Sequence, residues 1–168
     1  MKKLILTTFY TMTLCSGIYY MATGESFVTI SQSVPLDQAE VERYLATEVM
    51  APSFGGKVYT TYKILDTSTT KNEIYVWALI QEYVREGDHI EPGTGMAGPL
   101  VLYVDSEAET FTITGHESPR PGDYYPGDVR RMFPLYAELS VLPNPVSLGQ
   151  KLHDQMEQKL SRSPLVKE

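Results

Sequence analysis

The hydrophobic pattern of this chain centres on residues 74–84, Ile-Tyr-Val-Trp-Ala-Leu-Ile-Gln-Glu-Tyr-Val. Read with a period of two, Ile74, Val76, Ala78 and Ile80 fall on one face of a strand, and Tyr75, Trp77, Leu79 and Tyr83 fall on the other. A strand apolar on both faces needs cover on both, which places it inside a sheet. Its β-branched and aromatic content favours a strand over a helix.

The same alternation marks its neighbours. Val58, Tyr62 and Ile64 share a face across residues 57–66, and the threonine-rich residues 66–72 form a turn of hydrogen-bonding side chains. A polar loop through Glu86-Gly87-Asp88 and Pro92-Gly93-Thr94-Gly95 leads to a third strand at 99–105. A turn at 106–109 leads to a fourth strand at 111–116. No long crossover separates any pair, so the strands form an antiparallel meander.

Helical spacing appears at both ends of this block. Val41, Tyr44, Leu45 and Val49 form one apolar stripe, with Ser33 ahead of Pro35 and Leu36 as its start and Pro52 beyond its end. Near the C-terminus, Asp128 is placed to cap a short helix through Phe133, and residues 134–142 hold a further helical turn or two. Asn144 and Pro145 then open a helix with Leu148, Leu152, Met156 and Leu160 along one seam. The fold class is therefore α+β: an N-terminal helix packed on a four-stranded antiparallel meander, with C-terminal helices completing the cover. The order resembles cystatin-like rolls, an analogy of fold alone.

The N-terminus changes the picture. Lys2 and Lys3 precede an uncharged run, and Ala22-Thr23-Gly24 offers small residues before Glu25, the pattern of a secretory signal cut after Gly24. The expected organisation is a signal peptide at 1–24, a linker or short edge strand at 25–34, a single domain at 35–162 and a frayed tail at 163–168. Two alternatives stay open. The run could remain uncut as a membrane tether, or Cys15 could carry a lipid, although Leu14 fits a lipoprotein cleavage site poorly. Cys15 is the only cysteine, so cleavage after Gly24 leaves no thiol for disulfides, thiolate metal sites or cysteine catalysis.

The formal charge is −7; losing Lys2 and Lys3 from 14 cations against 21 acids makes it −9. That excess disfavours nucleic acid and anionic lipid as partners.

Candidate chemistry is sparse. Gly93-Thr94-Gly95-Met96-Ala97-Gly98 matches G-x-G-x-x-G, but the dinucleotide mechanism needs a helix directly afterwards. Pro99 and a strand follow, so the glycines are expected to serve a hairpin loop with positive φ. His116-Glu117 with Asp123 could approach one another as metal ligands, yet their geometry does not follow from sequence. Asp105, Glu107 and Glu109 lack the glycine and spacing of a calcium loop. No cofactor or metal is assigned. No Gly-x-Ser-x-Gly elbow or Ser-x-x-Lys pair supplies a nucleophile.

The most distinctive stretch is Pro119-Arg120-Pro121-Gly122-Asp123-Tyr124-Tyr125-Pro126, running on through Asp128 to Phe133-Pro134. Structurally, it would lay tyrosines across the sheet edge, pair Arg120 with a local acid and bury Phe133. Functionally, Arg120, Tyr124 and Tyr125 would form one wall of a binding groove, with Glu82 and Trp77 as further candidate binding residues.

Residues 75–83, Pro99-Leu100-Val101-Leu102, the Pro-Arg-x-Gly-x-Tyr-Tyr-x-x-Asp-Val-Arg pattern at 119–130 and Phe133-Pro134 together resemble a small exported bacterial domain. That domain is associated with stand-alone lipoproteins and with the extracellular tails of metallopeptidase regulators of the beta-lactam-response type. The resemblance covers about residues 56–134 and implies a non-enzymatic extracytoplasmic module with no catalytic residues to carry over. It departs from the pattern at the weak lipoprotein site around Cys15 and at the Pro/Asn-rich join 142–145.

Three functional readings follow. The first is an exported binding or accessory module of the bacterial cell envelope, periplasmic or extracellular, whose partner is an envelope protein or a small ligand. The second is a cavity enzyme using Glu82, Asp123 or His116 for acid/base work, which requires those side chains to converge on one pocket. The third is a structural envelope component. Mass spectrometry of the protein purified from its own cells is expected to show a chain beginning at Glu25. An intact N-terminus or a lipid-modified Cys15 would instead establish an anchor.

Overall fold

The computed structural model describes residues 36–105, 111–142 and 145–163. The signal, Cys15, the linker, the turn at 106–109 and Asn144 lie outside the described residues. Four strands, β1 (Lys57–Ser68), β2 (Glu73–Glu86), β3 (His89–Asp105) and β4 (Thr112–Glu117), form one antiparallel sheet in sequential order. Helix α1 (Gln38–Tyr44), extended by a π-helical turn at Leu45–Val49, precedes them. Helices α2 (Tyr125–Met132), α3 (Leu135–Val141) and α4 (Pro145–Ser161) follow.

The two-sided reading of β2 holds. Ile74, Val76, Ala78 and Ile80 are buried with Leu100 and Leu102 beneath Val41, Tyr44 and Leu45 of α1. Tyr75 and Trp77 are buried with Val101 beneath Val129, Met132, Phe133, Ala137, Val141, Leu148 and Leu152 from the C-terminal helices. A cystatin-like roll sets a helix into a curved sheet; here a second layer of three helices covers the opposite sheet face. At the far end of that layer, Tyr59, Tyr83 and Met156 make a smaller cluster.

Helix α1 begins later than Ser33 suggests. Asp37 is its N-cap, its Oδ1 accepting the N–H groups of Ala39 at 2.9 Å and Glu40 at 3.3 Å. Asp128 is not a cap. It lies inside the first turn of α2, which a 3-10 turn (Gly122–Tyr124) leads into, and its carboxylate is committed elsewhere. Ser163, placed by sequence at the start of a tail, is buried, and its hydroxyl meets the Tyr59 hydroxyl.

The largest difference concerns β3, which starts at His89 rather than Pro99 and takes in the whole glycine-rich string. The turn is at Gly87, whose φ is +63°, whereas Gly93, Gly95 and Gly98 do not have positive φ. Glycine at 95 leaves room for the Gln81 amide: a Cβ there would lie 2.3 Å from Oε1 of Gln81 on the paired strand and displace that side chain. Only Val101–Asp105 pair with β4, so Pro92 and Pro99 sit where β3 has β2 as its single neighbour. A missing N–H is tolerated on such an edge.

Trp77 is buried to 6% exposure, yet its Nε1 has no hydrogen-bond partner among the described residues. Truncating it removes packing, while keeping an aromatic ring removes the orphan donor. Trp77→Ala is therefore expected to cost about 3–5 kcal/mol in urea denaturation, and Trp77→Phe clearly less. Equal losses for the two variants would contradict burial as the main role of this side chain.

Candidate functional site

Glu82 continues the even-numbered face of β2, next to Ile80 and on the α1 side of the sheet. It is fully buried. Opposite it, β3 carries an extra residue, because Gln81 pairs with Gly95 while Tyr83 pairs with Pro92. The loop that follows α1 folds back over this point. Oε1 of Glu82 accepts the N–H groups of Phe54 at 3.0 Å and Gly56 at 2.7 Å; Oε2 accepts those of Ser53 at 3.0 Å and Thr94 at 3.2 Å. Gly56 has no room for a side chain, since a Cβ would lie 2.4 Å from the Tyr83 carbonyl oxygen. On the other face, the Gln81 amide donates to the carbonyls of Glu82, Gly93 and Thr94.

Burial alone would raise the pKa of Glu82, but the N–H groups of Gly56, Ser53, Phe54 and Thr94 favour the anion and the net shift is downward. This carboxylate is ionised and engaged by four backbone donors. It ties the 53–56 loop to the β2–β3 ribbon.

The Pro-Arg segment lies on the opposite side of the sheet, since Val129 of α2 packs with Tyr75 and Trp77. Its organising group is Asp128. Arg120 donates Nε to Oδ2 at 2.8 Å and Nη2 to Oδ1 at 2.9 Å, and its backbone N–H reaches Oδ2 at 3.0 Å. This two-pronged contact fixes the loop as well as the charge. It holds the Asp128 carboxyl far below the usual carboxylate range. The Arg120 guanidinium also lies over the Tyr124 ring, 4.3 Å from its centroid.

Arg131 extends the network, donating to Glu117 at 2.9 Å, while the Tyr103 hydroxyl donates to the other Glu117 oxygen at 2.9 Å. Arg131, with help from Tyr103, pulls the Glu117 pKa down. The Pro-Arg segment is thus bolted to β3 and β4. Phe133 is buried with its ring 5.6 Å from that of Tyr75, Tyr125 is half-buried against the same cluster, and Tyr124 is exposed.

The sequence-derived candidates therefore separate. Arg120 and Tyr124 meet, with Tyr125 beside them in α2. Trp77 is in the core below, and Glu82 is on the other sheet face. His116 also lies on the α1 side, its Nδ1 3.1 Å from the Tyr44 hydroxyl. His116 is in register with Leu102 and hence with Ile74, eight residues along β2 from Glu82, a span of about 26 Å at strand rise. Asp123 is exposed on the 3-10 turn. The convergence an acid/base cavity needs is not formed by these three residues. Among the described residues no group of three or more His, Cys, Asp or Glu is placed to hold a metal ion, and no helix is long and apolar enough to cross a membrane.

A surface that the sequence reading passed over lies on α3. Ala137 and Val141 are buried, while Leu135, Tyr136 and Leu139 are 67%, 81% and 59% exposed. The signal was present in the apolar residues on every side of Leu135–Val141, which one buried stripe does not explain. No protein-family description, curated protein or solved structure matches the chain.

Because the folded pKa of Glu82 is depressed, its contribution to stability is full above the unfolded value of about 4.3 and is lost as pH falls through the lower folded value. Glu82→Gln turns an NH2 donor towards two of the backbone N–H donors and removes the charge. Its melting temperature is expected to fall well below wild type at pH 7, with the gap narrowing below about pH 4. A gap unchanged between pH 7 and pH 3 would refute the assignment of the four N–H bonds to an anion.

Proposed function

We propose that this protein is an exported, non-enzymatic binding module of the bacterial cell envelope, which docks an envelope protein through the outer face of α3. The observation that carries this reading is the exposure of Leu135, Tyr136 and Leu139 on one short helix. Large apolar side chains grouped on a surface mark interaction sites, and aromatic and arginine residues dominate their energetics. Arg130 and Arg131 of the neighbouring α2 are largely exposed, although each pairs with an acid, Glu138 and Glu117 respectively. Arg130, paired with Glu138 of α3 itself, supplies a polar rim beside the apolar patch.

Two sequence features support the cellular setting: the signal-like residues 1–24 and the resemblance of residues 56–134 to exported domains of lipoproteins and metallopeptidase regulators. The seating of α3, with Ala137 and Val141 buried and Glu138 paired to Arg130 of α2, supports the mechanism. A preorganised surface loses little entropy on docking.

A photo-crosslinking residue at Tyr136 in the native cells is expected to give one discrete protein adduct, absent when the probe is at Thr69 in the β1–β2 turn. Leu139→Asp should suppress the adduct without lowering the melting temperature, because Leu139 is exposed. Identical adducts at both positions, or none at Tyr136, would refute docking through α3.

A further inference from the structure

The open edge of β1 carries a second, independent site. A cleft of about 480 Å³ lies along this edge, lined by Gln38 and Glu42 of α1, by Thr61, Tyr62, Lys63 and Ile64 of β1, and by Gln155 and Lys159 of α4. One side of the β1 main chain pairs with β2, and among the described residues no strand pairs with its other side. Thr60 turns its carbonyl outward, where Lys159 Nζ donates to it at 3.0 Å, so by alternation Tyr62 and Ile64 turn both their N–H and C=O groups the same way. No strand lies beyond β1 among the described residues.

Among the described residues the sheet is open at β1, at the outer side of β4 and along the first part of β3, and the three differ; β4 is only six residues long and contains Gly115. The unpaired part of β3 is interrupted by Pro92 and Pro99 and by Gly93, Gly95 and Gly98, which suit it poorly for accepting a strand. Between Lys57 and Ser68, β1 has neither proline nor glycine. Lys159 also pairs with Glu42 across the edge, closing one end of the cleft at Thr60 and leaving Tyr62 and Ile64 as the accessible positions.

The walls specify the side chains. On the α1 side, the half-buried Tyr62 and Ile64 present apolar surface. On the α4 side, where Thr61 bonds to the Leu152 carbonyl, alternation places Lys63, which is exposed and makes no ion pair among the described residues. We infer that β1 accepts an extended segment of another polypeptide by strand addition, one that alternates apolar side chains towards Tyr62 and Ile64 with acidic side chains towards Lys63. Main-chain bonds to residues 62 and 64 supply affinity, and the two faces supply choice. Lys63 also sets copies of this chain apart, because pairing two β1 edges brings their lysines together. This site is separate from the α3 surface and stands or falls without it.

The test uses the full-length chain and three blocked seven-residue peptides: alternating valine and glutamate, the same with lysine for glutamate, and the glutamate peptide N-methylated along one edge. With the first, amide hydrogen exchange at Tyr62 and Ile64 is expected to slow, while Thr61, already paired with β2, changes little. The lysine peptide and the N-methylated peptide should not protect these amides. Lys63→Glu should weaken the glutamate peptide about tenfold, the scale of reversing one exposed charge contact, with an unchanged melting temperature. Binding unaffected by N-methylation, protection elsewhere on the molecule, absence of binding, or concentration-dependent dimerisation through β1 would each overturn the inference.

Discussion

The double burial of β2 is the constraint from which the architecture follows. Its even-numbered residues need α1 and its odd-numbered residues need α2 to α4, so neither layer can be removed without wetting one side of the sheet. Antiparallel sheets often leave one face to solvent. The centre of this one does not, and its strands there carry apolar side chains in both directions at Ile74–Ile80 and Leu100–Val101. Of the two buried carboxylates among the described residues, Asp128 is met by Arg120, and Glu82 is tolerated because four backbone N–H groups meet it there.

Charged groups otherwise act as fasteners at the margins. Glu82 joins a loop to a hairpin on one side; Asp128 and Glu117 join the Pro-Arg segment to β3 and β4 on the other. Each fastener takes the residues most suggestive of chemistry and commits them to holding the backbone. Arg120 and Glu82 stand out in the sequence as candidate binding residues and Asp128 as a candidate cap. In the folded chain their hydrogen-bonding capacity is directed at the loops that glycine and proline create.

Much of the fold was legible because it rests on periodicity. The two faces of β2, the α1 stripe and the Leu148–Met156 seam are local patterns, and burial followed them. The start of β3 was not legible, since Pro92, Gly93, Gly95 and Gly98 are turn residues by every local rule. What holds them in a strand is pairing along β2, Pro92 with Tyr83, Gly95 with Gln81 and Gly98 with Ala78, together with the Gln81 and Glu82 side chains on Gly93 and Thr94, contacts between residues about ten or more positions apart. The candidate site divided in the same way. The pairing of Arg120 with an acid was foreseeable at short range, whereas the exposed face of α3 depends on which side of a seven-residue helix the sheet happens to take.

The arrangement of α4 over β1 has a consequence for how the chain acquires its shape when it emerges progressively from N- to C-terminus. The helix that covers Tyr59 and Thr61 is produced only after all four strands, and Ser163, which meets Tyr59, comes later still. The meander and α1 can assemble while the aromatic side of the sheet is still bare. A nascent chain of this design therefore passes through a period with its stickiest surface uncovered, and its safe maturation depends on how soon α4 follows the sheet.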